Sequence, residues 1–193
     1  MPLIDESTAF VSFNLEISPA SAEALLETVV GLTQKGTTKL CLMMSTGGGS
    51  VAQGLTIYNT LRALPLDLIT WNVGSVNSIG NVIFLAGERR IASPGSTFMF
   101  HGIGVTIASN SRLEERDLIE KLDAVRFHQR LVARVIAERT RITERNAHSL
   151  FLRSAYVSAS GAQRRGIVHR LETLSIPRKA KLVQVAIARD RAR

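Results

Sequence analysis

Residues 38–64 read "TKLCLMMSTGGGSVAQGLTIYNTLRAL". An apolar run of strand length, "TKLCLMMS", breaks on "TGGG". A helical period then sets in, with Val51, Leu55, Tyr58 and Leu61 on one broad face. This order constrains the fold, because it is repeated in kind along the chain. "AFVSFNL" alternates like a strand, and "SPASAEALLETVVGLTQKG" opens on cap-type serines and closes on Gly36, as a helix does. "LDLITWNV" reads as a strand that leads through "GSVNSIGN" into the helix "SIGNVIFLAG". "RRIAS", Pro94-Gly95 and "TFMFH" read as strand, turn, strand. A long helix is predicted at roughly Ser111–Arg139, with Leu118, Leu122, Val125, Val132 and Ile136 in one stripe. Shorter helices and a strand, "GIVHRL", follow. Strands alternating with helices imply an α/β fold with a largely parallel sheet and right-handed crossovers. In such sheets, sites form at the carboxyl ends of the strands.

The 193 residues fit one domain, expected over 1–174, with a basic C-terminal tail over 175–193. Hydrophobic residues make up 45% and charged residues 21%, a soluble globular profile. No apolar run reaches the roughly 18 residues of a membrane span. The start, "MPLIDESTAF", is no signal peptide, so a cytoplasmic location is expected. Cys41 lies inside "KLCLMM" and reads as a core thiol. Of the net charge of +8, the tail from Pro177 supplies +5, with six basic residues and one acid. No aromatics interleave with those basic residues, so a solvated tail helix or a subunit contact is expected there, and nucleic acid is not an expected partner. His128, His148 and His169 lack metal-ligand spacing, and no metal or cofactor is expected.

Two small-residue breaks, Thr46–Gly49 and Gly74–Asn77, fall at strand ends just before helices. Glycine admits close backbone approach, and a helix N-terminus presents unpaired N–H groups that can hold an oxyanion. A phosphate loop is not indicated, since G-x-x-x-x-G-K-[ST] is absent. Ser78 would open its helix like the nucleophile elbow of serine hydrolases, though without the G-x-S-x-G spelling. The Ile79 N–H would then face an oxyanion beside the hydroxyl. A helix of about nine residues advances roughly 14 Å, and a returning strand of about five covers about 17 Å. His101, ending "TFMFH", can therefore return to the level of Ser78. That spacing fits a Ser–His pair; it fits equally a serine N-cap and a strand-end histidine.

"STGGGSVAQGLTIYNTLRAL", "GSVNSIGNVIFLAG" and "ASPGSTFMFHG", in this order and spacing, strongly resemble the proteolytic subunit of the ATP-dependent Clp protease (ClpP) family, apart from a short deletion near Gly87-Glu88. "YVSASGAQRRGIVHRL" is similar to a later segment of that family, and the resemblance covers Ala9 to Leu171. It implies a ClpP/crotonase-like spiral of ββα units, with the Ser111–Arg139 helix as a protruding handle. By matching position, Ser78 is the nucleophile and His101 the general base. Gly48, with Gly49 beside it, and Ile79 form the oxyanion hole. The resemblance further implies heptameric rings, usually two, that enclose a chamber fed with unfolded chains by a Clp ATPase chaperone.

The sequence departs from the family pattern in several places. The triad aspartate position is Ser154, and no Asp or Glu occurs between Arg145 and Arg170. Arg153 matches an arginine used between rings, but Leu152 replaces its acidic neighbour. Gly47 stands for the proline of the glycine loop, and the family's axial loop and first helix have no counterpart before Ala9. The expected activity is that of a serine endopeptidase that cleaves peptides or unfolded proteins, slowed because losing a triad aspartate costs about 10⁴ in turnover. Ser154 is expected to accept a hydrogen bond from His101. The alternatives are a non-catalytic scaffold subunit, a crotonase-type acyl-CoA enzyme, and a Ser–Lys dyad with Lys121 as base.

Overall fold

A computed structural model describes residues 4–107 and 112–187. The order is β1 (Ala9–Phe13), α1 (Pro19–Gln34), β2 (Lys39–Thr46), α2 (Val51–Ala63), β3 (Asp67–Asn77), α3 (Gly80–Phe84), β4 (Arg89–Ala92), β5 (Thr97–Phe100), α4 (Glu115–Arg139), α5 (Glu144–Arg153), β6 (Ala155–Ser158), α6 (Ala159–Arg164), β7 (Arg170–Leu171) and β8 (Leu182–Gln184). The sheet runs β6-β5-β3-β2-β1-β8, with β4 and β7 branching from β3. Every pairing is parallel except β5 with β6. The predicted largely parallel α/β sheet is therefore present.

The break expected at Gly74–Asn77 belongs instead to β3, which continues to Asn77 and changes partner on the way. Residues 69–72 pair with β4, and Ser75–Asn77 pair with β5. β4 and β5 thus join one strand at successive levels, and the Pro94-Gly95 turn between them makes no hairpin. Two bonds set the handover. Asn72, fully buried, accepts from Gly74 N–H at 3.0 Å and donates to Thr97 O at 2.8 Å. The helix after Ser78 is only five residues long. The predicted strand "GIVHRL" shrinks to Arg170–Leu171, because the Ile167 and Val168 N–H groups fold back to Ala162 O and the Ile167 carbonyl is taken by Arg90 Nε.

The main core lies between the sheet and the helices and includes Phe13, Leu25, Leu42, Met44, Ile57 and Phe98. On the opposite face Phe10, Cys41, Met43, Ile69, Trp71 and Ile91 form a second cluster, covered by Ile4, Leu174, Ile176 and Ala180. Burial pushes the Cys41 thiol up to about 12, as a core thiol requires. Of the tail expected over 175–193, the described part, to residue 187, crosses this face and adds β8 beside β1, with Val185 buried. A strand forms there because β1 offers a free edge and Val183 and Val185 turn the same way, Val185 into the core. The handle begins at Glu115; Ser111 lies outside the described residues. Only its second half is anchored, through Val132, Ala133 and Ile136. In its first half Leu118, Ile119, Leu122 and Phe127 are about half exposed.

Arg90 fastens the end of that helix. It is 4% exposed, and its guanidinium donates to four carbonyls, those of Ile167 (2.7 Å), Arg139 (2.8 Å), Gly166 (3.0 Å) and Gly87 (3.2 Å). Burial, and then the neighbouring Arg139, lower its pKa to about 10. The Arg90 N–H in turn donates to His169 Nδ1 at 3.3 Å. Burial, followed by Arg90 and Arg139, holds that imidazole below its ordinary value. The folded state therefore resists protonation of His169. Stability from this group is present above the ordinary histidine pKa near 6.5 and is lost as pH falls from there through the lowered folded-state value. Urea midpoints of wild type and His169→Asn at about pH 7.5 and about pH 5.5 should show a smaller acid loss in the variant.

Candidate active site

Ser78 sits between β3 and α3 with φ +56°, a left-handed conformation that costs a non-glycine residue about 1 kcal/mol or more. The surroundings hold it there. Its N–H donates to Met99 O on β5 at 2.8 Å. The buried Asn81 donates from Nδ2 to Ser78 O at 2.9 Å and to Met99 O at 2.8 Å. Three glycines make room for the turn. A Cβ on Gly48 would lie 2.5 Å from Ser78 Cβ, one on Gly54 2.2 Å from Ile79 Cγ1, and one on Gly80 2.5 Å from Thr46 Cγ2. Backbone strain of this kind, imposed by packing, turns a small polar side chain out of the strand's line and into a pocket.

That pocket is apolar. Ser78, Ile79 and His101 line it together with Val51 of α2, Phe100 and Ile103 around the end of β5, Val132 and Ile136 of α4, and Phe151 of α5. β5 ends at Phe100, so His101 is the first residue past the strand, half-buried at the level of the turn. Ser78 and His101 thus share one cavity. No hydrogen bond joins Ser78 Oγ to the imidazole among the described residues.

The glycine loop divides its work. Gly49, at φ +140°, is wedged against Ile17, whose carbonyl oxygen would be 2.2 Å from an added Cβ. Ile17 N–H donates to Gly48 O, and Ser50 N–H donates to Ile17 O, each at 2.8 Å. Gly49 is therefore a pin for the loop. The Gly48 N–H donates to Thr46 Oγ1 at 3.1 Å, and that hydroxyl donates to Leu15 O at 2.7 Å. The Ile79 N–H has no partner among the described residues. Of the two expected oxyanion donors, one is open and one is lightly held by a threonine.

Ser154 caps α5 in a left-handed conformation, φ +48°, with its N–H on Phe151 O at 3.3 Å. The β5–β6 register ends at Phe100 opposite Ala155, so Ser154 is next in line opposite His101. Its side chain is exposed and makes no hydrogen bond to the imidazole. Lys121, on the protruding half of α4, is not among the residues lining the pocket. His128 and His148 lie edge-on to Phe127 and Phe151. Among the described residues no group of His, Cys, Asp or Glu could hold a metal ion. Sequence reasoning missed Gly54, Gly80 and Asn81. The two glycines were visible as interruptions of helical pattern, but the partner each one faces was not.

A strained serine, an imidazole in the same pocket and an open N–H are the components of acyl transfer. The comparisons with known proteins point the same way. A family model described as Clp protease matches residues 3–173. The ATP-dependent Clp protease proteolytic subunit 1 of Streptomyces avermitilis is 30% identical over 140 residues, 69% of this chain and 61% of that relative. Proteolytic subunit 2 of Prochlorococcus marinus is 28% identical over 165 residues, 82% of this chain and 79% of that relative. Proteolytic subunit 3 of Streptomyces coelicolor is 34% identical over 109 residues, 46% of its length. The chain thus spans less than two thirds of some of the relatives it matches. Among solved structures, an asparagine-to-aspartate mutant of ClpP1 from Listeria monocytogenes matches with a TM-score of 0.76. It covers 89% of this chain and 94% of the other at 22% identity, a likeness of fold.

Neighbouring glycines give a direct check of the packing. Gly48→Ala combines φ +100° with the 2.5 Å approach to Ser78 Cβ, whereas a Cβ on Gly47 meets nothing within 4 Å. Chemical denaturation should show Gly48→Ala destabilised by about 1–3 kcal/mol and Gly47→Ala within about 0.5 kcal/mol of wild type.

Proposed function

The chain belongs to the Clp protease family, and from that premise we propose that it is a ClpP-like serine endopeptidase subunit acting on peptides or unfolded chains. The observation that carries the reading is the shared pocket. Ser78, on its left-handed turn, and His101, just past β5, both line it, together with Ile79. Ser78 Oγ attacks the peptide carbonyl carbon as His101 takes the hydroxyl proton. The tetrahedral intermediate's oxyanion is held by the Ile79 N–H, joined by the Gly48 N–H when it leaves Thr46 Oγ1. Collapse breaks the C–N bond, and His101 returns the proton to the leaving amine. Water then attacks the acyl-enzyme by the reverse proton route and releases the acid. The apolar walls of Val132, Ile136 and Phe151 suit an apolar side chain beside the scissile bond.

The third position sets the rate. Ser154 offers a hydroxyl where a carboxylate would balance the imidazolium, and in the resting geometry it makes no bond to His101. The enzyme is therefore slow. That same observation favours a second reading, a ring subunit whose contribution is structural. In both readings the half-exposed Leu118, Ile119, Leu122 and Phe127 of α4 are covered by other copies, in a ring of seven or in two stacked rings. A Clp ATPase is the proposed partner and the cytoplasm the proposed location. Among the described residues no helix is long and apolar enough to cross a membrane.

A fluorophosphonate probe separates the readings. Wild type is expected to be labelled and Ser78→Ala not; an unlabelled, folded wild type would leave the structural reading. Ser154→Asp should raise peptidase turnover by roughly tenfold, short of the roughly 10⁴ that a tuned aspartate supplies. Light scattering at micromolar concentration should give an oligomer of several subunits, and a monomer would contradict the ring.

A further inference from the structure

Asn81 is 1% exposed, yet it spends its amide on backbone. Nδ2 forks between Ser78 O and Met99 O, at 2.9 and 2.8 Å, while Oδ1 has no hydrogen-bond partner. The opposite amide orientation would aim Oδ1 at two carbonyl oxygens, so the donor assignment follows from the neighbours. Leaving a buried acceptor unpaired is unfavourable and offsets part of what the two Nδ2 bonds contribute. What the amide does accomplish is local. Met99 O receives both the Ser78 N–H and Asn81 Nδ2. Ser78 O receives both Asn81 N–H, at 3.1 Å, and Asn81 Nδ2. The side chain therefore closes a ring of hydrogen bonds between the strained turn and the strand whose next residue but one is His101.

We propose that Asn81 is a positioning residue that fixes the separation of Ser78 and His101, taking over part of the orientation that the unbonded Ser154 does not give the imidazole. The proposal rests on the Ser–His reading above. It acts through backbone: neither Ser78 Oγ nor the ring is touched by the amide. Without it the turn and β5 keep only the Ser78 N–H bond to Met99 O at this level, and the two reacting groups drift. Misplacement of about 1 Å can cost up to about 10²-fold in rate.

The test compares wild type with Asn81→Leu, which keeps the volume and removes both the donors and the orphaned acceptor, and with Asn81→Ala as a second variant. Amide hydrogen exchange, peptide hydrolysis and fluorophosphonate labelling are measured on the assembled protein. Asn81→Leu is expected to melt within a few degrees of wild type, while exchange at residues 78–81 and 97–101 quickens by roughly tenfold, kcat and the labelling rate fall by roughly tenfold, and KM stays within about twofold. Unchanged exchange and unchanged rates in either folded variant would overturn the proposal. So would failure of both variants to fold, which would make Asn81 a purely structural residue. An unlabelled wild type would sink the Ser–His reading instead, and local exchange would still report whether the clamp exists.

Discussion

Strand β3 has two partners in succession, and most of this molecule's architecture depends on how that is arranged. Its first half is bound to β4 and its last three residues to β5. A strand can hold only one neighbour per edge at any level, so β5 has to start where β4 stops. Asn72 sits at that point and serves both sides, with its backbone carbonyl accepting from Ser93 N–H and its side chain joined to Gly74 and Thr97. The displacement carries the end of β5 as far along as the end of β3. For that reason a histidine after one strand and a serine after the other line the same pocket.

Much of this was legible in the residues. Alternation gave β1, short apolar runs bounded by turn residues gave β2 to β5, the serine caps gave the start of α1, and the break between "MMS" and "SVAQ" gave the loop on which the turn leans. Legible elements were those whose signal is local. Strand β8 was not, because three residues with modest apolar content become a strand only where β1 leaves an edge free. The continuation of β3 through "GSVN" was hidden too, since glycine and asparagine ordinarily announce a turn, and only the neighbour β5 turns them into ladder. In the candidate site, Ser78 and His101 stood out by residue type and spacing. Gly54 and Asn81 did not, because what each does is decided by a partner many residues away: Ile79 for the glycine, Met99 for the amide.

The site also shows how strain is distributed. Left-handed Ser78 and Ser154 are the non-glycine residues with positive φ among those described; the first lines the pocket with His101 and the second is next in register opposite it. One is held by packing against glycines and by hydrogen bonds to β5. The other ends a helix and is exposed. The first is over-determined and the second is not, which is why the geometry is tight around Ser78 and loose around Ser154.

The segment that crosses the Trp71 face has a consequence for how the chain reaches this state. Leu174, Ile176 and Ala180 cover the same cluster as Ile4, and β8 lies against β1, so one edge and one face of the sheet are completed by residues far along the chain from β1. Joining such distant parts costs loop-closure entropy that only complete packing returns, and contacts of that range form slowly. While a nascent chain is still short of residue 174, β1 presents an unpaired edge and Phe10, Met43 and Trp71 have no cover. Until residues 174–185 have been made, that edge and that face stay open to wrong partners.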